Sequence, residues 1–148
     1  MSKELVLSTI EELGFSVKCD DFGYVFEYEK VFVLYLPDED DENFLRFALP
    51  NIYDITEENK PFVLEVVNET NIALKYSKTC AYDDCVCVYY EHRLFGGEHM
   101  EDVIRHILLV LQATAFLFLR KIEGDDTLPG ADDFDENNTN NNETKEEE

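Results

Sequence analysis

Apolar positions near the start of the chain recur at helical spacing. Leu5, Val6, Thr9, Ile10 and Leu13 form one stripe, Ser2 stands at a capping position, and Gly14 stands where a left-handed C-terminal residue is expected. A short helix with one buried face is predicted. From Phe15 the period becomes two. Residues 15–19, 24–28, 31–36 and 44–49 read as four strands. Turn chemistry separates them at Asp20-Asp21-Phe22-Gly23, at Glu29-Lys30 and in the acidic stretch 37–43, and Pro50 closes the fourth. Residues 31–36 are apolar on both faces, which predicts a strand covered on both sides.

Helical spacing returns with Phe62, Val63, Val66, Val67 and Thr70. This helix starts at Thr56 or Asn59, tolerates Pro61 near its start, and has Asn68 and Asn71 near its end to cap it and pin the next turn. A hairpin of residues 73–82 and 85–91 comes next, turning at Asp83-Asp84, and Gly96-Gly97 breaks the chain. A last helix is predicted over 98–121. Its apolar residues surround most of its circumference, so it is expected to be buried all round, with a partner subunit supplying a second contact. From Gly124 the pattern stops. The fold class predicted is α+β: an antiparallel meander plus a hairpin, packed by helices in the order α-β-β-β-β-α-β-β-α. It occupies residues 1–123, with a tail over 124–148.

Charge sharpens this division. The 148 residues hold 12 Lys+Arg against 34 Asp+Glu, a net charge of −22. Residues 123–148 carry eleven acids and one base, or −10, leaving −12 on residues 1–122. Five Asn and one Thr fill 137–142. Such a segment cannot offset chain entropy by apolar burial, and disorder is expected there. The negative field disfavours nucleic acid, whose affinity comes from neutralising phosphate with Lys and Arg, and disfavours anionic membrane surfaces. The longest apolar run, 107–119, is interrupted by Gln112 and Thr114 and falls short of the roughly 18 residues of a membrane span. Met1-Ser2-Lys3-Glu4 leads straight into the amphipathic pattern, without a secretory signal. A cytoplasmic protein with reduced cysteines is expected.

The cysteines are the first candidate chemistry. A two-residue turn at Asp83-Asp84 pairs Tyr82 with Cys85 and Cys80 with Cys87. Cys80, Cys85 and Cys87 then share one face with Tyr76, Lys78, Tyr82 and Tyr89. Ser77, Thr79, Ala81, Val86, Val88 and Tyr90 occupy the other. The spacing is not a standard zinc spacing and the hairpin holds no histidine. The sulfurs read as packing residues, and Tyr76, Tyr82, Cys85, Cys87 and Tyr89 as a protein-contact face. The acidic loop 38–42 does not fit a calcium loop, because Asn43 and Leu49 stand where Gly and Glu are required. His92, His99 and His106 read as surface or interface residues, with Asp102 between the last two. No catalytic, cofactor or metal residues are assigned.

Several segments carry a family resemblance. They are Val67-Asn68-Glu69-Thr70-Asn71 running into the strand with Lys75 and Lys78, the hairpin Cys85-Val86-Cys87-Val88, Leu94-Phe95-Gly96-Gly97 before the long helix, and residues 43–50. Over residues 3–121 the chain resembles the YbjN-like family of small bacterial domains, which share the fold of type III secretion chaperones. The resemblance implies a dimeric α+β protein that handles other proteins or plays a regulatory part. The function expected is a non-enzymatic protein-binding module, chaperone-like or regulatory. It would be a homodimer with a protein partner of unidentified nature, and with neither nucleic acid nor membrane. The alternative is a small metal-binding or thiol-based sensor or enzyme built on Cys80, Cys85 and Cys87.

Overall fold

In the computed structural model, residues 2–124 are described. The tail expected from 124 onward lies, from residue 125, outside them. The elements keep the predicted order: α1 (Ser2–Glu12), β1 (Lys18–Cys19), β2 (Tyr24–Tyr28), β3 (Val31–Tyr35), β4 (Phe44–Asp54), α2 (Lys60–Ala73), β5 (Ser77–Ala81), β6 (Cys85–Arg93) and α3 (Met100–Ile122). The six strands form one antiparallel sheet, ordered β1-β2-β3-β4-β6-β5.

Local chemistry explains the short connections. After α1, Gly14 takes φ +101° while the Phe15 N–H bonds the Ile10 carbonyl at 3.3 Å, which ends the helix as the sequence predicts. Asp20 forms the next turn: its carboxylate accepts the N–H of Phe22 at 2.8 Å and of Gly23 at 3.0 Å. Gly23 has φ +151°, and a Cβ there would stand 2.7 Å from the Tyr35 carbonyl oxygen, so the close approach of β2 and β3 needs glycine. Glu29 and Lys30 both take positive φ, the conformation of a two-residue hairpin turn.

Alternation along the strands sorts side chains onto two faces. Phe26, Val33, Tyr35, Leu45, Phe47, Leu49, Val88 and Tyr90 point inward and meet Val6 and Ile10 of α1 and Ile104, Ile107, Leu108 and Leu111 of α3. A smaller core joins Ile55, Val63, Val66, Val86 and Phe118. All three helices contribute to this one face.

Several elements differ from expectation. The first strand is only Lys18–Cys19, because Phe15 turns inward and packs on Phe26 with ring centroids 5.4 Å apart. The fourth strand does not stop at Pro50. It continues to Asp54 through a register shift between Leu49 and Tyr53, where Asn51 takes φ +47° and a residue without an N–H is tolerated. β3 is not covered on both sides: Val33 and Tyr35 are buried, while Phe32 is 64% exposed. α3 is not buried all round either. Its inward stripe fills the core, and Leu109, at 53% exposed, lies outside with Phe116 and Leu119. By length and composition α3 is apolar enough to cross a membrane, but here its buried stripe is the central core element.

Candidate functional site

The face of the sheet turned away from the helices holds the candidate site. Its centre is the β5–β6 hairpin. The Tyr82 N–H bonds the Cys85 carbonyl at 2.8 Å, closing a two-residue turn at Asp83-Asp84. The register then pairs Cys80 with Cys87 and Lys78 with Tyr89, as the sequence predicts. Four of the five expected contact residues gather here. Tyr82 donates its hydroxyl proton to the Tyr89 hydroxyl at 2.7 Å, with ring centroids 6.4 Å apart. The sulfurs of Cys85 and Cys87 lie 3.9 Å apart.

Tyr76 is the exception. It takes φ +74° in the connection before β5, which turns its side chain to the helical side of the sheet. There it stacks on Tyr90 at 6.1 Å and meets the His106 ring edge-on at 5.0 Å. His106 in turn shares a 3.1 Å hydrogen bond with the Tyr90 hydroxyl, and His99 pairs with Asp102 at 2.9 Å.

The register also brings in residues that the sequence pattern does not single out. Arg46 of β4 is the direct cross-strand partner of Glu91 of β6. Its guanidinium donates to one carboxylate oxygen at 3.1 and 2.9 Å, and Lys78 reaches the other at 2.5 Å. Arg46, Lys78, Cys80, Tyr82, Tyr89 and Glu91 line a shallow cavity of about 180 Å³.

Electrostatics derive from this arrangement. The hydrogen bond from Lys78, supported by Arg46, holds the Glu91 carboxyl below its ordinary value. Burial pushes the Tyr89 phenol up. Burial first, then neighbouring Cys87, push the Cys85 thiol up to about 11, and burial also raises Cys80. These two thiols are therefore protonated near neutral pH and are weak nucleophiles. Among the described residues no three His, Cys, Asp or Glu side chains converge on one point.

The Glu91 carboxyl makes a testable contribution. A lowered folded pKa stabilises the fold at pH above the unfolded value of 4.5, and this is lost as pH falls through the folded value. Half-exposed partners screen the effect, so Glu91→Gln is expected to cost no more than about 1 kcal/mol at pH 7. Urea titrations of both proteins should converge as pH falls below 4.5. A constant difference across that range would contradict the assignment.

No protein-family model matches this chain, and no curated sequence does. Among solved structures, the crystal structure of YbjN, a candidate transcription regulator from E. coli, superposes with a TM-score of 0.64 at 9% identity. The match covers 82% of this chain and 92% of YbjN. The fold is YbjN-like. The shared architecture is the helix, sheet and hairpin order described above, and at this identity the likeness is one of fold alone.

Proposed function

We propose that this chain is a non-enzymatic protein-binding module, chaperone-like or regulatory, that works as a cytoplasmic homodimer. One observation carries the reading: helices cover a single face of the six-stranded sheet, and the other leaves Phe32 exposed and sets Tyr82 and Tyr89 beside a polar cluster. Aromatic rings with a hydroxyl handle offer large contact area together with hydrogen bonding, the composition of protein interfaces. The Arg46–Glu91–Lys78 cluster gives such a contact a polar register.

The chaperone-like side of the reading rests on the resemblance to type III secretion chaperones. The regulatory side is supported by the description of YbjN. With a net charge of −22, regulation would run through protein contacts and not through nucleic acid. The homodimer is supported by Leu109, Phe116 and Leu119, which α3 leaves exposed. Light scattering of the full chain is expected to give the mass of two chains, and Leu109→Ser with Phe116→Ser that of one. A wild-type mass of one chain would overturn the dimer. The sheet face is tested separately: Tyr82→Ser with Tyr89→Ser is expected to abolish partner capture.

A further inference from the structure

We propose that α3 packs antiparallel on α3 of a second copy of this chain, across a two-fold axis and in one register. Arg105 then lies against the partner's Glu123, Leu109 against the partner's Leu119, and Gln112 against the partner's Phe116. The pairing rests on the homodimer proposed above and gives it a geometry. Arg105, Leu109, Gln112, Phe116, Leu119 and Glu123 are separated alternately by four and three residues. That is the spacing of a coiled-coil seam, which keeps a row on one side of a helix at about 3.5 residues per turn. Ile104, Ile107, Leu111 and Phe118 face the core on the opposite side. Leu109 is 53% exposed, Phe116 38% and Leu119 36%. Glu123 keeps helical angles, φ −79° and ψ −4°, and so continues the row. From end to end the row is about 27 Å long.

Charge selects the direction. The spacing reads the same from either end, so it fits a parallel or an antiparallel partner equally well. A parallel partner would set Arg105 on the partner's Arg105 and Glu123 on the partner's Glu123, two like-charge contacts. An antiparallel partner sets each Arg105 on Glu123 of the partner subunit, and it also opposes the two helix dipoles. Within its own helix Arg105 reaches Glu101 through Nε and Nη2, at 3.3 and 2.9 Å, on an exposed site. The N–H groups on Nη1 extend the fork toward a second carboxylate. The row is neutral overall on a chain of net charge −22, so a second copy meets no net repulsion along it.

The apolar residues select the register. A slip of one heptad in one direction sets Phe116 against the partner's Arg105 and Leu119 against the partner's Asp102, which leaves charge against apolar surface. In the proposed register Leu109 and Leu119 cover each other twice, once on each side of the axis. The middle of the row is flanked by Ala113 on one side and Ala115 on the other. The two-fold brings Ala113 beside the partner's Ala113, and Ala115 beside the partner's Ala115. Small side chains at that point let the two helices approach closely. A two-fold contact of this kind is self-complementary, as a homodimer requires.

The test is charge reversal, read by sedimentation equilibrium of the reduced full chain at fixed salt. Arg105→Glu and Glu123→Arg are each expected to weaken dimerisation by about tenfold, because each turns two attractive contacts into two repulsive ones. Arg105→Glu combined with Glu123→Arg restores both pairs and should return the dimer to within about threefold of wild type. Net charge alone would move the two single variants in opposite directions, so a common weakening followed by rescue reports the register. Far-UV circular dichroism confirms that each variant is folded. A dimeric wild type whose single variants are unchanged, or shift in opposite directions, or are not rescued by the double reversal, would overturn this pairing and leave the homodimer standing. A wild type of one chain would overturn both.

Discussion

Replacing Phe47 by alanine is expected to destabilise the fold by about 4 kcal/mol, the middle of the range for emptying a buried phenylalanine site. Phe47 is completely buried on β4, the strand that joins the β1–β3 meander to the β5–β6 hairpin. Its ring stacks on Tyr35 at 5.1 Å and meets Phe26 edge-on at 6.4 Å. Its cross-strand partners are Tyr35 on one side and Tyr90 on the other. Alanine therefore opens a cavity between aromatic rings held by two different strands, and neither can move in to fill it without breaking register. Domains have total stabilities of about 5–15 kcal/mol, so a quarter or more of the margin is at stake. Phe47→Leu keeps much of the volume and should cost less than half as much. Phe22→Ala is the control, because Phe22 is 79% exposed and should change stability by no more than about 0.5 kcal/mol. Urea unfolding monitored by far-UV circular dichroism measures all three. A loss below about 1 kcal/mol for Phe47→Ala would show that the core is not centred where the structure places it.

Asn71→Ala is expected to have the second-largest effect, about 2–3 kcal/mol, from one side chain. β5 is an edge strand. Tyr82 and Cys85 form a hydrogen-bonded pair, so Thr79, three residues back, lies at a position whose backbone groups point away from β6. Asn71, on the last turn of α2, meets those groups as a neighbouring strand would. Its carbonyl oxygen accepts the Thr79 N–H at 2.7 Å and the Thr79 hydroxyl at 2.9 Å, and its amide donates to the Thr79 carbonyl at 3.0 Å. Thr79 is buried, so alanine leaves its N–H unpaired away from water. Aspartate at 71 keeps the acceptors but loses the donor and sets an anion against a carbonyl. It should fall between wild type and alanine. The local signature is amide exchange at Thr79, which should accelerate in Asn71→Ala before global unfolding does. Unchanged exchange there would contradict the role given to Asn71.

The two residues mark where sequence reasoning reaches and where it stops. The sequence marks Asn71 as a residue that ends α2 and pins the next turn, because amide side chains near helix ends do that locally. Its actual partner is a strand edge eight residues on. The pairing of Cys80 with Cys87 is legible because a two-residue turn fixes register over the whole hairpin. The Arg46–Glu91 pair is not, since β4 and β6 are neighbours only after α2 and β5 have been inserted between them. No local signal reports a contact that spans 45 residues.

Tyr76 departs from expectation for another reason. Strict alternation puts it with the cysteines, and only its positive φ, which a tyrosine does not advertise, turns it toward His106. Coverage is the third limit. Residues 31–36 and the last helix are apolar enough to be enclosed on every side, but apolar composition states a preference and not what is there to satisfy it. The described domain has one helical layer. Phe32 and Leu109 remain exposed, and that shortfall is the physical basis for proposing partners for this chain.

The most direct measurement of that claim is retention of binding partners by the immobilised full chain from extract of its native host. Three baits are compared: wild type, Tyr82→Ser with Tyr89→Ser on the open sheet face, and Phe22→Ser at the exposed turn between β1 and β2. Wild type and Phe22→Ser are expected to retain the same proteins, and the double tyrosine variant to lose them while keeping its far-UV spectrum. The same proteins retained by all three baits, or none retained by wild type, would contradict the account.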